Sequence, residues 1–284
     1  MDWLDQLNEA LDYIEENLEG KIEYEKAAKL ACCSTYHFQR MFSYIAGIPL
    51  SEYIRRRRLT KAALDLQRGE KVLDISLRYG YESPTAFNRA FQKVHKVSPS
   101  FAQKEGTSLK AFPRISFKIT IKGAEEMEYR IEKKEAFRVV GVKTLLEKNV
   151  EESFQVVPQI WQQVSQNGQM LQIIPLMNKE PMGVLGISAC MDDLEKWEYY
   201  IAVSTDQKAL DGMEQYIVPA CTWAIFSGQG VQPNAIQEIE KRAVTEWLPT
   251  SGYEYANAPD IEVYINSDPI DSKFEVWLPI VKKA

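Results

Sequence analysis

Histidine and cysteine are scarce in this 284-residue chain, which has two of the first (His37 and His95) and four of the second (Cys32, Cys33, Cys190 and Cys221). There is no CxxC pair, so the spacing argues against a zinc site, and no metal or cofactor is expected. The cysteines read as reduced thiols packed as small apolar side chains, which points to the cytoplasm. No apolar run approaches the roughly 18 to 20 residues that cross a bilayer, so no membrane association is expected. The acidic, amphipathic start MDWLDQLNEALDYIEEN reads as neither a signal nor a transit peptide. Glycine (14) and proline (13) are too few for a collagen-like or low-complexity chain. No Ser–His–Asp or Cys–His set stands out, and no enzyme is expected. What is present, 45% apolar and 26% charged residues, is the composition of a globular protein with about two domains.

The net charge of -6 is unevenly distributed. Residues 1–25 hold nine acids and one lysine, whereas residues 26–110 hold 16 basic and six acidic residues. Residues 111–284 are acidic again, with 17 basic against 25 acidic. A dense basic segment inside an acidic protein suggests a polyanion partner.

The first 105 residues carry helical periodicity. Leu4, Leu7, Leu11, Ile14 and Leu18 form one stripe ahead of Gly20. Ser34 is placed to cap a helix bearing Tyr36, Phe38, Met41, Phe42 and Ile45, and Ser51 to cap EYIRRRRLTKAALDLQRG. The pattern then repeats, with a short helix from Val72 to Tyr79, a YGYES turn and a second helix from Ser83 to Val94. Phe38–Gln39–Arg40 and Phe87–Asn88–Arg89 stand at matching positions about 49 residues apart. The reading is a duplicated helix-turn-helix whose second helices bury aromatics and offer Gln, Asn and Arg outward. Gln and Asn suit adenine, Arg suits guanine, and a helix fits the major groove.

The wording of these segments is more specific than their period. AACCSTYHFQRMFSYIAGIPLSEYIRRRRLTKAALDL and DISLRYGYESPTAFNRAFQKVHKVSPSFAQK resemble the DNA-binding domain of the AraC/XylS family of bacterial transcription regulators over about residues 5–105. The resemblance implies two recognition helices entering successive major grooves of promoter DNA, and RNA polymerase as a further partner. By position, Tyr36, Gln39 and Arg40 would face the first groove, and Thr85, Asn88 and Arg89 the second. Arg55 to Arg58 cannot share one helix face, so some would meet phosphate or nearby acids and others solvent.

The expected domains are an all-α unit over 1–108, a linker or arm over 109–126, and an α+β domain over 127–284. Within the join, Ile115, Phe117, Ile119 and Ile121 alternate as in a strand or ordered arm. The second domain reads as a duplicated strand–helix–strand–strand forming an antiparallel sheet. AFRVVGVKTLL, a helix around Glu151–Gln166 with Pro158 at its start or at a kink, GVLGISACM and WEYYIAVSTD make the first copy. YIVPACTWAIFSGQG, a helix striped by Ile236, Ile239, Ala243, Val244 and Trp247, IEVYINS and KFEVWLPIVK make the second. In the last two strands Ile261, Val263 and Ile265, and then Phe274, Val276 and Leu278, each define an aliphatic face expected to pack under the helices. The other face would present two acid–x–aromatic pairs, Glu262–Tyr264 and Glu275–Trp277, with Glu198–Tyr200 as a partial echo. Aromatic walls with carboxylates suit a lipophilic cation, since each ring contributes about 0.5 to 2 kcal/mol.

The run IVPACTWAIFSGQG…AVTEWLPTSGYEY…PDIEVYINSD…KFEVWLPI resembles the gyrase-inhibitor-like (GyrI-like) effector-binding domain over about residues 127–284. The resemblance implies a pocket between the repeats, with an acidic residue of a late strand receiving cationic ligands. Glu262 and Glu275 match that role, with Tyr264 and Trp277 as walls and Trp223, Phe226 and Tyr200 as further candidates. The domain order is similar to that of Rob-type AraC regulators. The expected function is a DNA-binding regulator that senses a small amphipathic, cationic aromatic compound. The alternatives are a second domain that binds a protein partner or hydrolyses a small electrophile.

Overall fold

The computed structural model of the protein describes residues 3–117, 126–191, 195–266, 268 and 270–283. The alternating stretch expected from Ile115 to Ile121 runs out of the described residues after Phe117, and 111–117 has no regular secondary structure. Among the described residues no helix is long and apolar enough to cross a membrane. The chain forms two compact units. One comprises residues 3–31 and 46–117; the other comprises 32–45 and the described residues from 126 onward.

The first unit is helical: α1 (Trp3–Glu16), α2 (Tyr24–Leu30), α4 (Leu50–Gln67), α5 (Val72–Arg78), α6 (Pro84–His95) and α7 (Pro99–Ala102). The α1 stripe is buried as its spacing requires, with Leu7, Leu11 and Ile14 fully enclosed. Leu59 and Leu66 of α4 close on Ile75 of α5 and on Phe87 and Phe91 of α6. Ser83 caps α6 by accepting from the Ala86 amide (3.2 Å), with Pro84 in the first turn. Ser51 does not cap α4. The helix already begins at Leu50, because Pro49 supplies the extended residue before it.

The four consecutive arginines of α4 are held inside this unit. Arg55 and Arg56 pair with Glu52, and Arg58 donates to the Leu18 carbonyl (3.0 Å). Arg57 donates to Glu15 through Nε (2.8 Å) and Nη2 (2.7 Å), and Tyr53 Oη donates to the same carboxylate (2.6 Å). Removing Glu15 strands both donors in a largely buried place. Glu15→Ala is therefore expected to lower stability by about 2 kcal/mol. This would be read as a lower urea midpoint at unchanged slope, and an unmoved midpoint would show that the network contributes nothing net.

The second unit is built on one antiparallel sheet. Its strands are β1 (Tyr129–Lys134), β2 (Phe137–Leu146), β3 (Val184–Ala189), β4 (Trp197–Ser204), β5 (Glu214–Val218), β6 (Cys221–Gly230), β7 (Tyr253–Tyr255), β8 (Asp260–Tyr264) and β9 (Ser272–Lys282). The order is β1-β6-β9-β8-β3-β4-β2-β5, with β7 on the end of β9. The expected duplication is visible in it: β2, β4 and β3 mirror β6, β9 and β8 across the central β3–β8 pair. The strand that precedes each copy crosses over, so β1 pairs with β6 and β5 with β2.

Helices α8 (Val150–Gln166), α9 (Gln169–Ile173) and α10 (Asn234–Arg242) follow the first strand of each copy. Asn149 caps α8 by accepting from the Glu151 amide (3.0 Å), and Pro158 lies inside the helix rather than at its start. Val150, Ile160 and Val164 of α8 pack on Val140, Tyr199 and Ile201 of one sheet face. On the other face Val139, Leu185, Ile187, Trp223, Ile261 and Trp277 form a second core. Phe137 of β2 reaches Trp277 of β9 there (ring centroids 6.4 Å), although three strands separate β2 from β9 in the sheet. The sheet therefore curls around this second core, which has no need of a helix to cover it.

Candidate functional site: a carboxylate-floored cavity

On the helix face of the sheet the two copies part to leave a cavity of about 1240 Å³. Its walls come from α8 (Phe154, Val157, Trp161), α10 (Ile236, Glu240), β3 (Val184, Ser188), Tyr199 of β4, and Glu262 and Tyr264 of β8. The central register sets Glu262 opposite Gly186. The local two-fold thus places a carboxyl on one side and no side chain on the other. A Cβ on Gly186 would lie 2.5 Å from Tyr199 Oη and 2.8 Å from Glu262 Oε2, so the glycine is what leaves room for both groups.

Tyr264 Oη donates to Glu262 Oε2 (3.0 Å), and the Tyr264 ring meets Trp161 edge to face (centroids 4.8 Å). Trp161 Nε1 in turn donates to Tyr199 Oη (2.8 Å). Glu262 is half-buried, opening on the cavity, and its carboxyl is hydrogen-bonded to that of Glu240. Burial, reinforced by the Glu240 charge, raises the Glu262 pKa to about 8 against the opposing pull of Arg40. At neutral pH the Glu262 carboxyl is accordingly largely protonated.

The remaining walls come from α3 (Thr35–Ala46), whose residues up to Ile45 belong to this unit. Ser34 starts the helix by accepting from the His37 amide (3.2 Å). Arg40 forms an ion pair with Glu240 and another with Asp260 (Nη1 to Oδ2, 2.8 Å). Tyr36 Oη donates to Ser188 Oγ (3.2 Å), and Tyr44 Oη donates to Glu240 Oε2 (2.9 Å). His37 stacks on Tyr255 (3.9 Å) with Nε2 3.3 Å from Asp260. Burial works to raise the Asp260 pKa, but His37 and Arg40 outweigh it and hold the acid below its usual range.

The residues expected to face the first DNA groove are thus enclosed in this conformation. Tyr36, Gln39 and Arg40 are only 7%, 5% and 6% exposed, contrary to the expectation that this helix offers its polar residues outward. The reason is local charge: the Arg40 guanidinium finds two carboxylates, and Gln39 bridges the Lys148 carbonyl and the Val150 amide (both 3.5 Å). On α6 the arrangement is the expected one, with Phe87 buried, Thr85 and Arg89 exposed and Asn88 half-buried.

Of the expected effector residues, the cavity takes Glu262 and Tyr264. Glu275 and Trp277 are on the opposite face, because the register pairs Glu262 with Val276 and Ile261 with Trp277. The aliphatic faces of β8 and β9 therefore point to opposite sides of the sheet, as a one-residue offset requires. Phe274, Val276 and Leu278 do lie on the helix side, whereas Ile261 and Val263 enter the second core. There Glu275 accepts from Trp277 Nε1 (2.8 Å) and pairs with Arg130 (2.9 Å). Its echo repeats this, with Glu198 accepting from Tyr200 Oη (2.6 Å) and meeting Lys143 (3.4 Å). Trp223 packs against Trp277 (5.9 Å) in that core, and Phe226, on the helix side, packs on Trp247 (5.2 Å) away from the cavity.

Sequence reasoning missed Glu240, Asp260 and Trp161. Two of them left a signal. Glu240 interrupts the apolar stripe running from Ile236 to Ala243 and Val244, and Asp260 shares the strand parity of Glu262 and Tyr264.

Residues 127–281 match the GyrI-like small molecule binding domain, and residues 27–105 match a helix-turn-helix domain. The transposon Tn10 TetD protein of Escherichia coli is 37% identical over 99 residues, spanning 34% of this chain and 72% of that protein. The multiple antibiotic resistance protein MarA of Escherichia coli K12 is 37% identical over 94 residues, spanning 33% of this chain and 74% of that protein. Among solved structures, SAV2435 bound to tetraphenylphosphonium superposes with a TM-score of 0.50 at 24% identity, covering 55% of this chain and 94% of that one. The duplicated sheet with its cavity and the repeated helix-turn-helix pattern agree with these matches: the chain belongs to the AraC family of transcription regulators, with a helix-turn-helix DNA-binding domain followed by a GyrI-like small-molecule-binding domain.

Proposed function

We propose that this regulator senses a lipophilic aromatic cation in the sheet-unit cavity. The observation that carries the reading is the Glu240–Glu262 carboxyl pair, which lines the cavity together with the rings of Trp161, Tyr199 and Tyr264 and already pairs with the Arg40 cation through Glu240. Desolvated carboxylate and π faces together favour a cation over a neutral molecule of the same shape. A micromolar ligand needs about 8 kcal/mol, which several rings and one charge supply. The complex of the similarly folded SAV2435 with tetraphenylphosphonium supports the reading. On the DNA side, Thr85, Asn88 and Arg89 of α6 remain the residues for one groove, and Tyr36, Gln39 and Arg40 those for the other.

The test is thermal unfolding with tetraphenylphosphonium and with tetraphenylborate, which carries the same four rings around the opposite charge. The cation should raise the melting temperature in a concentration-dependent way and the anion should not. Glu240→Gln should weaken the cation about tenfold, since it removes the cavity carboxylate that pairs with a cation. Equal response to both ions, or an unchanged response in the variant, would overturn the reading.

A further inference from the structure

The cavity already holds a cation, and that cation belongs to the chain. Arg40 is buried at the junction of Glu240 and Asp260, and it projects from the helix that carries Tyr36 and Gln39. While Arg40 is there, the polar face of α3 is closed to any duplex. We propose that Arg40 is an internal ligand of the cavity, and that an entering aromatic cation takes its place at Glu240, loosening α3 from the sheet unit and making its polar face available to DNA. This rests on the cation reading of the cavity and adds to it the mode of regulation.

Charge balance supports replacement rather than addition. Facing Glu262 are Glu240 of α10, Arg40 of α3, Tyr264 of its own strand and Tyr199 of β4. Glu262 is largely protonated at neutral pH, and Arg40 is already engaged by Glu240 and Asp260. If a second cation joined Arg40, Glu262 would have to ionise. Binding would then release close to one proton at pH near 7 and tighten about tenfold per pH unit up to about 8. If the cation replaces Arg40, one positive charge leaves as one arrives. Binding then releases almost no proton and is nearly flat over that range. Asp260 is the useful handle, because it anchors Arg40 and does not line the cavity. Loss of its negative charge alone would weaken a bound cation; loss of an anchor on the competitor strengthens it.

The experiment is calorimetric titration of the full chain with tetraphenylphosphonium in buffers of different ionisation enthalpy, alongside amide hydrogen exchange. Replacement predicts proton release near zero, faster exchange over residues 35–46 when the cation is present, and about tenfold tighter binding to Asp260→Asn. It also predicts that Asp260→Asn, without ligand, binds a duplex selected from a randomised pool about tenfold more tightly than the natural chain. If Asp260→Asn does not fold, the first two readings on the natural chain decide. Release of about one proton, with exchange over 35–46 unchanged or slower, would overturn the proposal while leaving the cation site standing. Absence of binding, or binding that Glu240→Gln does not weaken, would instead remove the cation reading, and the proposal with it.

Discussion

Glu262→Gln should stabilise the protein near pH 8 to 9 and leave it nearly unchanged near pH 5. The folded chain holds the Glu262 proton up to about pH 8, whereas an unfolded chain releases it at the ordinary carboxylate value. A group whose folded pKa is raised contributes its full stability below the unfolded value, and that contribution is lost as pH rises to the folded one. The natural chain should thus lose about 1 kcal/mol per pH unit between about pH 4.5 and 8 from this site. Glutamine mimics the protonated acid: its amide can donate to Glu240 as the carboxyl does, and it cannot ionise. Melting temperature against pH should therefore show two curves that coincide in acid and separate steadily above about pH 5, the variant lying higher. Parallel curves would mean that Glu262 is ionised in the folded chain at neutral pH. Because glutamine mimics the neutral acid, the same substitution should leave affinity for the cation nearly unchanged near pH 7.

Why the sequence shows Glu262 but not its setting follows from the range of the forces involved. Periodicity is local, and it reported local facts well: the α1 stripe, the Ser34 cap, the duplicated strand–helix–strand–strand order and the period-2 faces of β8 and β9. It carries no information on how two faces are set against each other. Glu262 and Glu275 both follow an aliphatic residue in an alternating run, and only the β8–β9 register sends one into the cavity and the other to Arg130. Charge pairing over long separations was equally hidden. Arg40 looked like a solvent-facing recognition residue because its partner Asp260 lies 220 residues away in the chain. The Arg55–Arg58 run misled less, since Glu52 is within one helical turn of it. What could have been read is the pair of polar residues at apolar positions, Glu240 on its helical stripe and Asp260 in strand parity with Glu262. A carboxylate at such a place must find a buried partner.

Gly186→Ala should damage both the cavity and the unit that contains it, by adding one methyl group. Residue 186 lies in the middle of β3, between β4 and β8, so its backbone cannot move aside without breaking two ladders. The new Cβ would meet Tyr199 Oη at 2.5 Å, Glu262 Oε2 at 2.8 Å and Trp161 Cζ2 at 3.2 Å. None of the three gives way freely. Tyr199 is almost fully buried and receives the Trp161 indole hydrogen, and Glu262 is held by Tyr264 and Glu240. Overpacking of this kind destabilises by about 1 to 3 kcal/mol, and here the upper end is expected because a hydrogen bond is strained as well. Affinity for tetraphenylphosphonium should fall by more than about tenfold, since the ring wall and the carboxyl move together. Gly228→Ala provides the contrast. Its Cβ would press on Ile239 and Phe274, on the helix side but away from the cavity carboxyls, so it should lower stability and leave cation selectivity intact. If Gly186→Ala kept both the melting temperature and the preference for the cation over tetraphenylborate, the broken two-fold at the Gly186–Glu262 pair would have no part in recognition, and the counter-charge would have to be sought at Glu240 alone.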